Sequence, residues 1–179
     1  MANKTSNDKR IWLLAAYGLV TAIIAVLTLF ASVPLPTGSG GAYLNAGDAA
    51  IWFSAWLFGP VGGAVTAAVG SVTADILYGS FIYAPATFII KGLMGLLCGL
   101  LFKKIKYGAP PVAGLIMPLG YFLYEYALFD ISAALYGLWT NALQYAFGCL
   151  AGILLIVFGS RVAFFQKLRE RQGFEGRKE

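Results

Sequence analysis

The chain has 179 residues, of which 59% are hydrophobic and 12% charged, with a formal net charge of +5. Soluble domains carry roughly 45–50% and about 25%, so this composition excludes a water-soluble globule and places the chain in a bilayer, as helices because its apolar runs are continuous. Histidine is absent, which excludes Ser-His-Asp and Cys-His catalysis, imidazole zinc sites and histidine proton relays.

Lys4, Lys9 and Arg10 precede the first apolar run, residues 11–32. As a helix this run reaches about 33 Å, enough to cross a bilayer and too long for a cleaved signal peptide. It carries a stripe of small residues, Ala15, Gly18, Ala22 and Ala25, on one face. Such stripes permit close helix contact, either inside the bundle or with another membrane subunit. A turn-rich stretch, Val33-Pro-Leu-Pro-Thr-Gly-Ser-Gly-Gly41, ends the helix and predicts a long outer loop. The second run, 48–58, reaches only about 16 Å before Gly59-Pro60 interrupts it. Its shortness predicts that Tyr43-Leu-Asn-Ala-Gly-Asp48 dips below the outer surface, where irregular backbone is tolerated only along a cavity or under protein. Asn45 thereby becomes a candidate for the site.

Further spans are predicted over 61–78, 86–102, 112–129 and 138–159, followed by a basic cytoplasmic tail at 160–179. Cys98 and Cys149 both lie inside apolar runs and imply neither a disulfide framework nor a metal site. Twelve of the thirteen basic residues fall before the first run, at Lys103, Lys104 and Lys106, or in the tail. The stretches around 33–48, 79–86 and 129–138 contain none. The positive-inside rule then gives an all-α integral membrane protein of one domain, with six transmembrane helices and both termini cytoplasmic. Fusing 49–73 into one kinked helix would give five spans, but would put the tail and the Lys103 cluster on opposite sides.

Ionisable residues inside spans are costly and mark functional sites. Asp75, Lys91 and Glu125 are such residues, and counting from the outer ends of their spans puts all three some 8 Å deep. Asn141 and Gln144 reach the same level on one helix face, and Tyr83, Tyr121 and Trp139 crowd it. Lys91 pairing with Glu125 or Asp75 would suffice for a structural brace. Five polar groups from four spans, in an aromatic layer, instead suit a small-molecule pocket open to the outside. The chain has no phosphate-cradling Gly-x-x-x-x-Gly-Lys loop and no metal cluster, so neither an enzyme nor a nucleotide-driven pump is expected from it alone. The basic tail beside a span reads as a topology signal, not as a nucleic-acid site.

Tyr43-Leu-Asn-Ala-Gly-Asp48, Leu57-Phe-Gly-Pro-Val-Gly-Gly63, Gly70-Ser71 with Asp75, and Tyr83-Ala-Pro-Ala-Thr-Phe-Ile-Ile-Lys-Gly92 occur in that order. In this the chain resembles the S components, the substrate-binding subunits, of energy-coupling factor (ECF) vitamin transporters, in their riboflavin-transporter-like branch. The resemblance spans residues 11–160. It implies a six-helix bundle in a bacterial plasma membrane that captures a vitamin or precursor from outside. Its partners would be a membrane coupling subunit and two ABC ATPase subunits, which use the ATP; the chain itself would need no cofactor. The family's first-helix Ala-x-x-x-Ala docking motif reads Gly18-x-x-x-Ala22 here. Members of the branch take riboflavin, pyridoxine or hydroxymethylpyrimidine. Lys91, Glu125, Asn141 and Gln144 suit the few polar groups of a small hydroxymethyl pyridine or pyrimidine, with Trp139 or a tyrosine stacking. A riboflavin binder and a membrane scaffold with a structural Lys-Glu pair are the alternatives.

Overall fold

The computed structural model describes residues 2–34, 43–170 and 172. Residues 35–42 of the predicted outer loop, and Arg171, Arg177 and Lys178 of the tail, lie outside the described residues. The fold is all-helical apart from one short ribbon: α1 (Ala2–Phe30), β1 (Ser32–Pro34), β2 (Tyr43–Asn45), α2 (Gly47–Tyr78), α3 (Ala84–Ile105), a 3-10 turn (Lys106–Gly108), α4 (Ala109–Gly114), α5 (Ile116–Leu128), α6 (Ile131–Gly159) and α7 (Ala163–Glu170). Four segments are long and apolar enough to cross a membrane: Arg10–Phe30, Gly47–Tyr78, Ala84–Leu128 and Ile131–Gly159.

α2 is two arms, not one rod. Gly59 adopts φ 71°, ψ −165°, a backbone state that L side chains avoid, and Pro60 brings no N–H to continue the ladder. The hydroxyl of Thr66 then lies 3.0 Å from that of Ser54. Twelve residues along an unbroken helix would separate them by about 18 Å, so the chain folds back at Gly59-Pro60. Small residues allow the second arm to pack closely. A Cβ on Gly63 would meet Ala55 at 2.6 Å, and one on Gly95 of α3 would meet the Gly63 carbonyl at 2.4 Å.

The antiparallel ribbon pairs Ser32 with Asn45, Val33 with Leu44 and Pro34 with Tyr43. It ties the end of α1 to the start of α2, helped by a hydrogen bond from the Ala46 N–H to the Ala31 carbonyl (3.1 Å). The core contains Ile24, Ile51, Trp52, Leu57, Phe58, Met94, Met117 and Ile156. Leu14, Leu19, Leu123, Leu154 and Phe158 stand exposed on the outside, an arrangement suited to lipid and costly in water.

The two ends of the bundle differ in charge. Lys103 and Lys104 close α3, Lys106 follows, and α7 packs at the same end, with the Arg169 guanidinium 4.6 Å from the Trp56 ring and 5.8 Å from that of Phe102. At the opposite end the described connections contain no Lys or Arg. Several boundaries depart from expectation: α1 begins at Ala2 and not at 11, and the span expected over 112–129 is divided between α4 and α5. α6 begins at Ile131, seven residues before the predicted 138, because the Asp130 side chain caps it by accepting the Ala133 N–H at 2.8 Å. α3 begins at Ala84, with Pro85 in its first turn.

Candidate functional site: a two-tier polar cavity

The floor of the site is built around Asp48, which opens α2 and is 2% exposed. One carboxylate oxygen accepts from Lys91 Nζ at 2.5 Å, and the other from Gln144 Nε2 at 3.0 Å. Lys91, 8% exposed on α3, also donates to Met117 Sδ at 3.0 Å. Gln144 holds β2 as a neighbouring strand would: its amide donates to the Asn45 carbonyl at 3.0 Å and accepts the Asn45 N–H at 2.8 Å. Asn45 Oδ1 in turn accepts the Gly47 N–H at 2.9 Å. These bonds pair both backbone groups of Asn45 and the Gly47 N–H where the irregular stretch before α2 lies against α6.

The mouth is built from the ends of α2, α3, α5 and α6 that lie opposite the basic end of the bundle. Thr87 and Tyr121 share a hydrogen bond of 2.8 Å, and the Thr87 hydroxyl also faces the Asp75 carboxylate. One helical turn beyond Tyr121, Glu125 is 8% exposed and accepts a long 3.4 Å hydrogen bond from Tyr83. Tyr124 donates to the Ile82 carbonyl and braces that turn. Glycine at 137 makes room for the acid, since a Cβ there would lie 1.6 Å from Glu125 Oε2. Glu125 Oε2 and Asp75 Oδ2 are both buried and have no hydrogen-bond partner among the described residues.

Between the tiers lies a cavity of about 370 Å³. Lys91, Glu125, Asn141, Gln144, Tyr121, Tyr83, Asn45 and Asp75, the polar residues expected to converge, all line it. Trp139 does not. It is 62% exposed and points away from the face that carries Gly137, Asn141 and Gln144, so it supplies no ring to this cavity. Two further expectations are corrected. Lys91 pairs with Asp48, not with Glu125 or Asp75, which removes the Lys-Glu brace. Nor do the polar groups share one depth. Lys91 lies seven residues into α3 and Glu125 three from the end of α5, a difference of about 6 Å. Asn141 donates its amide to the Gly137 carbonyl of its own helix at 2.9 Å.

Asp48, Thr87 and Gly137 were missed in the sequence. Asp48 is the first residue of an apolar run, where an acid reads as a helix-start residue. A glycine inside a run gives no sign of the carboxylate that needs its space. On α1, Ala15, Gly18 and Ala22 are exposed while Ala25 is buried. A Cβ on Gly18 would meet nothing within 4 Å, so most of the small-residue stripe faces outward.

An all-helical membrane protein whose polar groups converge on an internal cavity belongs to the class of integral-membrane small-molecule binders. Comparison with known proteins makes the class specific. The family model for the S component of the ECF-type riboflavin transporter matches residues 9–160, and the chain belongs to that family. A Pyrococcus woesei protein, described as an uncharacterized protein in the gap 3' region, is 33% identical over 134 residues, covering 72% of this chain and 88% of its own. The thiamine precursor transporter HmpT of Lactococcus lactis subsp. cremoris (strain MG1363) is 29% identical over 170 residues, 95% of this chain and 98% of its own. The crystal structure of the S-component for biotin from an ECF-type ABC transporter shares the fold, with a TM-score of 0.60 at 19% identity, over 92% of this chain and 94% of that one. The protein is therefore a multi-pass membrane subunit of a vitamin transport system, and its family comprises transport subunits, not enzymes. S components bind vitamin ligands and work with the subunits of an ECF module.

Proposed function

We propose that this S component is the high-affinity substrate-binding subunit of an ECF-type ABC importer and captures hydroxymethylpyrimidine, or a pyridoxine-like ring of similar size, from outside the cell. The observation that carries this reading is the convergence of Glu125, Asp75, Asn141, Tyr83 and Tyr121 on one cavity, with both acids keeping a carboxylate oxygen that has no hydrogen-bond partner among the described residues. Unpaired buried acceptors are costly, and a small ring with amine and hydroxyl donors satisfies them. The cavity, about 370 Å³, is at the low end of the roughly 300–1,000 Å³ common for ligand sites, which favours one small ring over riboflavin with its ribityl chain. Similarity to a thiamine precursor transporter along 95% of the chain points the same way.

The reversal at Gly59-Pro60 and the 3-10 turn at Lys106–Gly108 support six membrane-crossing arms. The basic end then faces the cytoplasm, with both termini, and the cavity mouth faces out. The exposed Ala15, Gly18 and Ala22 face of α1 suits docking to the membrane coupling subunit. Two ABC ATPase subunits would supply the ATP hydrolysis, leaving this chain without a cofactor of its own. Calorimetric titration of the purified protein with hydroxymethylpyrimidine, pyridoxine and riboflavin tests the assignment. Saturable binding of one of the small rings is expected. Tight binding of riboflavin alone would replace the substrate, and folded protein that takes none of the three would refute the reading.

A further inference from the structure

We infer that the mouth of the cavity reads its ligand as a hydrogen-bond donor: Glu125 and Asp75 together select a ring bearing an amino group and exclude anionic forms of the same ring. This inference rests on the substrate reading above and adds the group that is recognised and the form that is refused.

The argument begins with charge. Asp48, Asp75 and Glu125 line the cavity, and Lys91 is the cation among the lining residues. Asp48 holds that cation at 2.5 Å, so the ion pair of Lys91 is made at the floor, and its charge reaches Asp75 only across a longer distance. An incoming phosphate or carboxylate would meet two acids at the mouth and a cation already paired at the floor, in a place where water screens little. A donor meets the opposite situation. Carboxylates accept hydrogen bonds, and those to ionised acceptors are the strong ones.

Geometry narrows the donor. The two acids come from different walls, Asp75 from the second arm of α2 and Glu125 from α5, and Thr87 of α3 stands between those walls, facing Asp75 and sharing a hydrogen bond with Tyr121 of α5. A ring amine presents two N–H groups in one plane, whereas a hydroxyl presents one. The Tyr83 and Tyr121 rings, with centroids 6.4 Å apart, both line this part of the cavity and suit a flat heterocycle. Gly137 reserves the space in which Glu125 sits. The acid therefore occupies a place shaped for it and yet uses only one of its oxygens within the protein.

The test is calorimetric titration of the full chain in detergent with three probes: hydroxymethylpyrimidine with its ring amine, the analogue with hydrogen in place of the amine, and the phosphate monoester. The analogue should bind roughly ten- to hundredfold more weakly, the cost of leaving a buried polar group unpaired, and the ester should show no saturable binding. Glu125→Gln and Asp75→Asn should each weaken the parent compound more than the analogue, with thermal melting confirming that the variants are folded. Equal affinity for parent and analogue, or tight binding of the ester, would overturn the inference while leaving the substrate reading in place. Folded protein that binds none of these compounds would overturn both.

Discussion

The floor and the mouth of the cavity use similar residues to opposite ends. At the floor, Asp48 has both oxygens occupied, Lys91 has two partners, and the Gln144 amide is engaged on both its nitrogen and its oxygen. At the mouth, Glu125 and Asp75 are each left with an orphaned oxygen. Fully satisfied buried networks rigidify a fold, and partly satisfied ones invite a further partner. The polar groups of the floor therefore hold the bundle together, and those of the mouth leave part of their hydrogen-bonding capacity unused within the described residues.

Substitutions can break this contrast, and the largest effect is expected at the floor. Lys91→Met leaves Asp48 buried without its counter-charge and should cost about 3–5 kcal/mol of stability, read by thermal unfolding in detergent. Adding Asp48→Asn should recover much of the loss, and a Lys91→Met protein that melts like the parent would show that the floor is no clamp. Next, Gln144→Leu removes the bonds to both backbone groups of Asn45 and to Asp48. It should lower stability by about 1–3 kcal/mol in the same measurement.

Gly137→Ala moves the test to the mouth. The added methyl displaces Glu125, so ligand affinity should fall roughly tenfold by calorimetry, with unfolding little changed. The smallest effect on the isolated chain is expected for Gly18→Leu, whose side chain meets open space. Its stability should stay within about 0.5 kcal/mol, while co-purification with the coupling subunit should drop.

The sequence revealed the spans better than their depths. Continuous apolar runs and the Gly59-Pro60 punctuation located the helices and the reversal. Depth was read from where composition changes, whereas the helices begin where they are capped, at Asp130 for α6 and in the Pro85 turn for α3. That shift moved Lys91 and Gln144 down to the floor and left Glu125 at the mouth. Eight of the nine residues expected to line the pocket do line it, because intramembrane polar groups are too costly to scatter. The partner of Lys91 was not legible, since Asp48 lies 43 residues away, at the very start of its run, where an acid reads as a helix-start residue. Trp139 was misplaced because neighbouring residues on a helix point to different faces.

The most direct test compares Glu125→Gln with Gln144→Leu for hydroxymethylpyrimidine affinity and melting temperature, side by side. Glu125→Gln should lose ligand affinity and keep its melting temperature, whereas Gln144→Leu should lose melting temperature first. If Glu125→Gln instead melts early and binds ligand normally once folded, the unpaired acid is a structural part of the bundle and the division between floor and mouth is wrong.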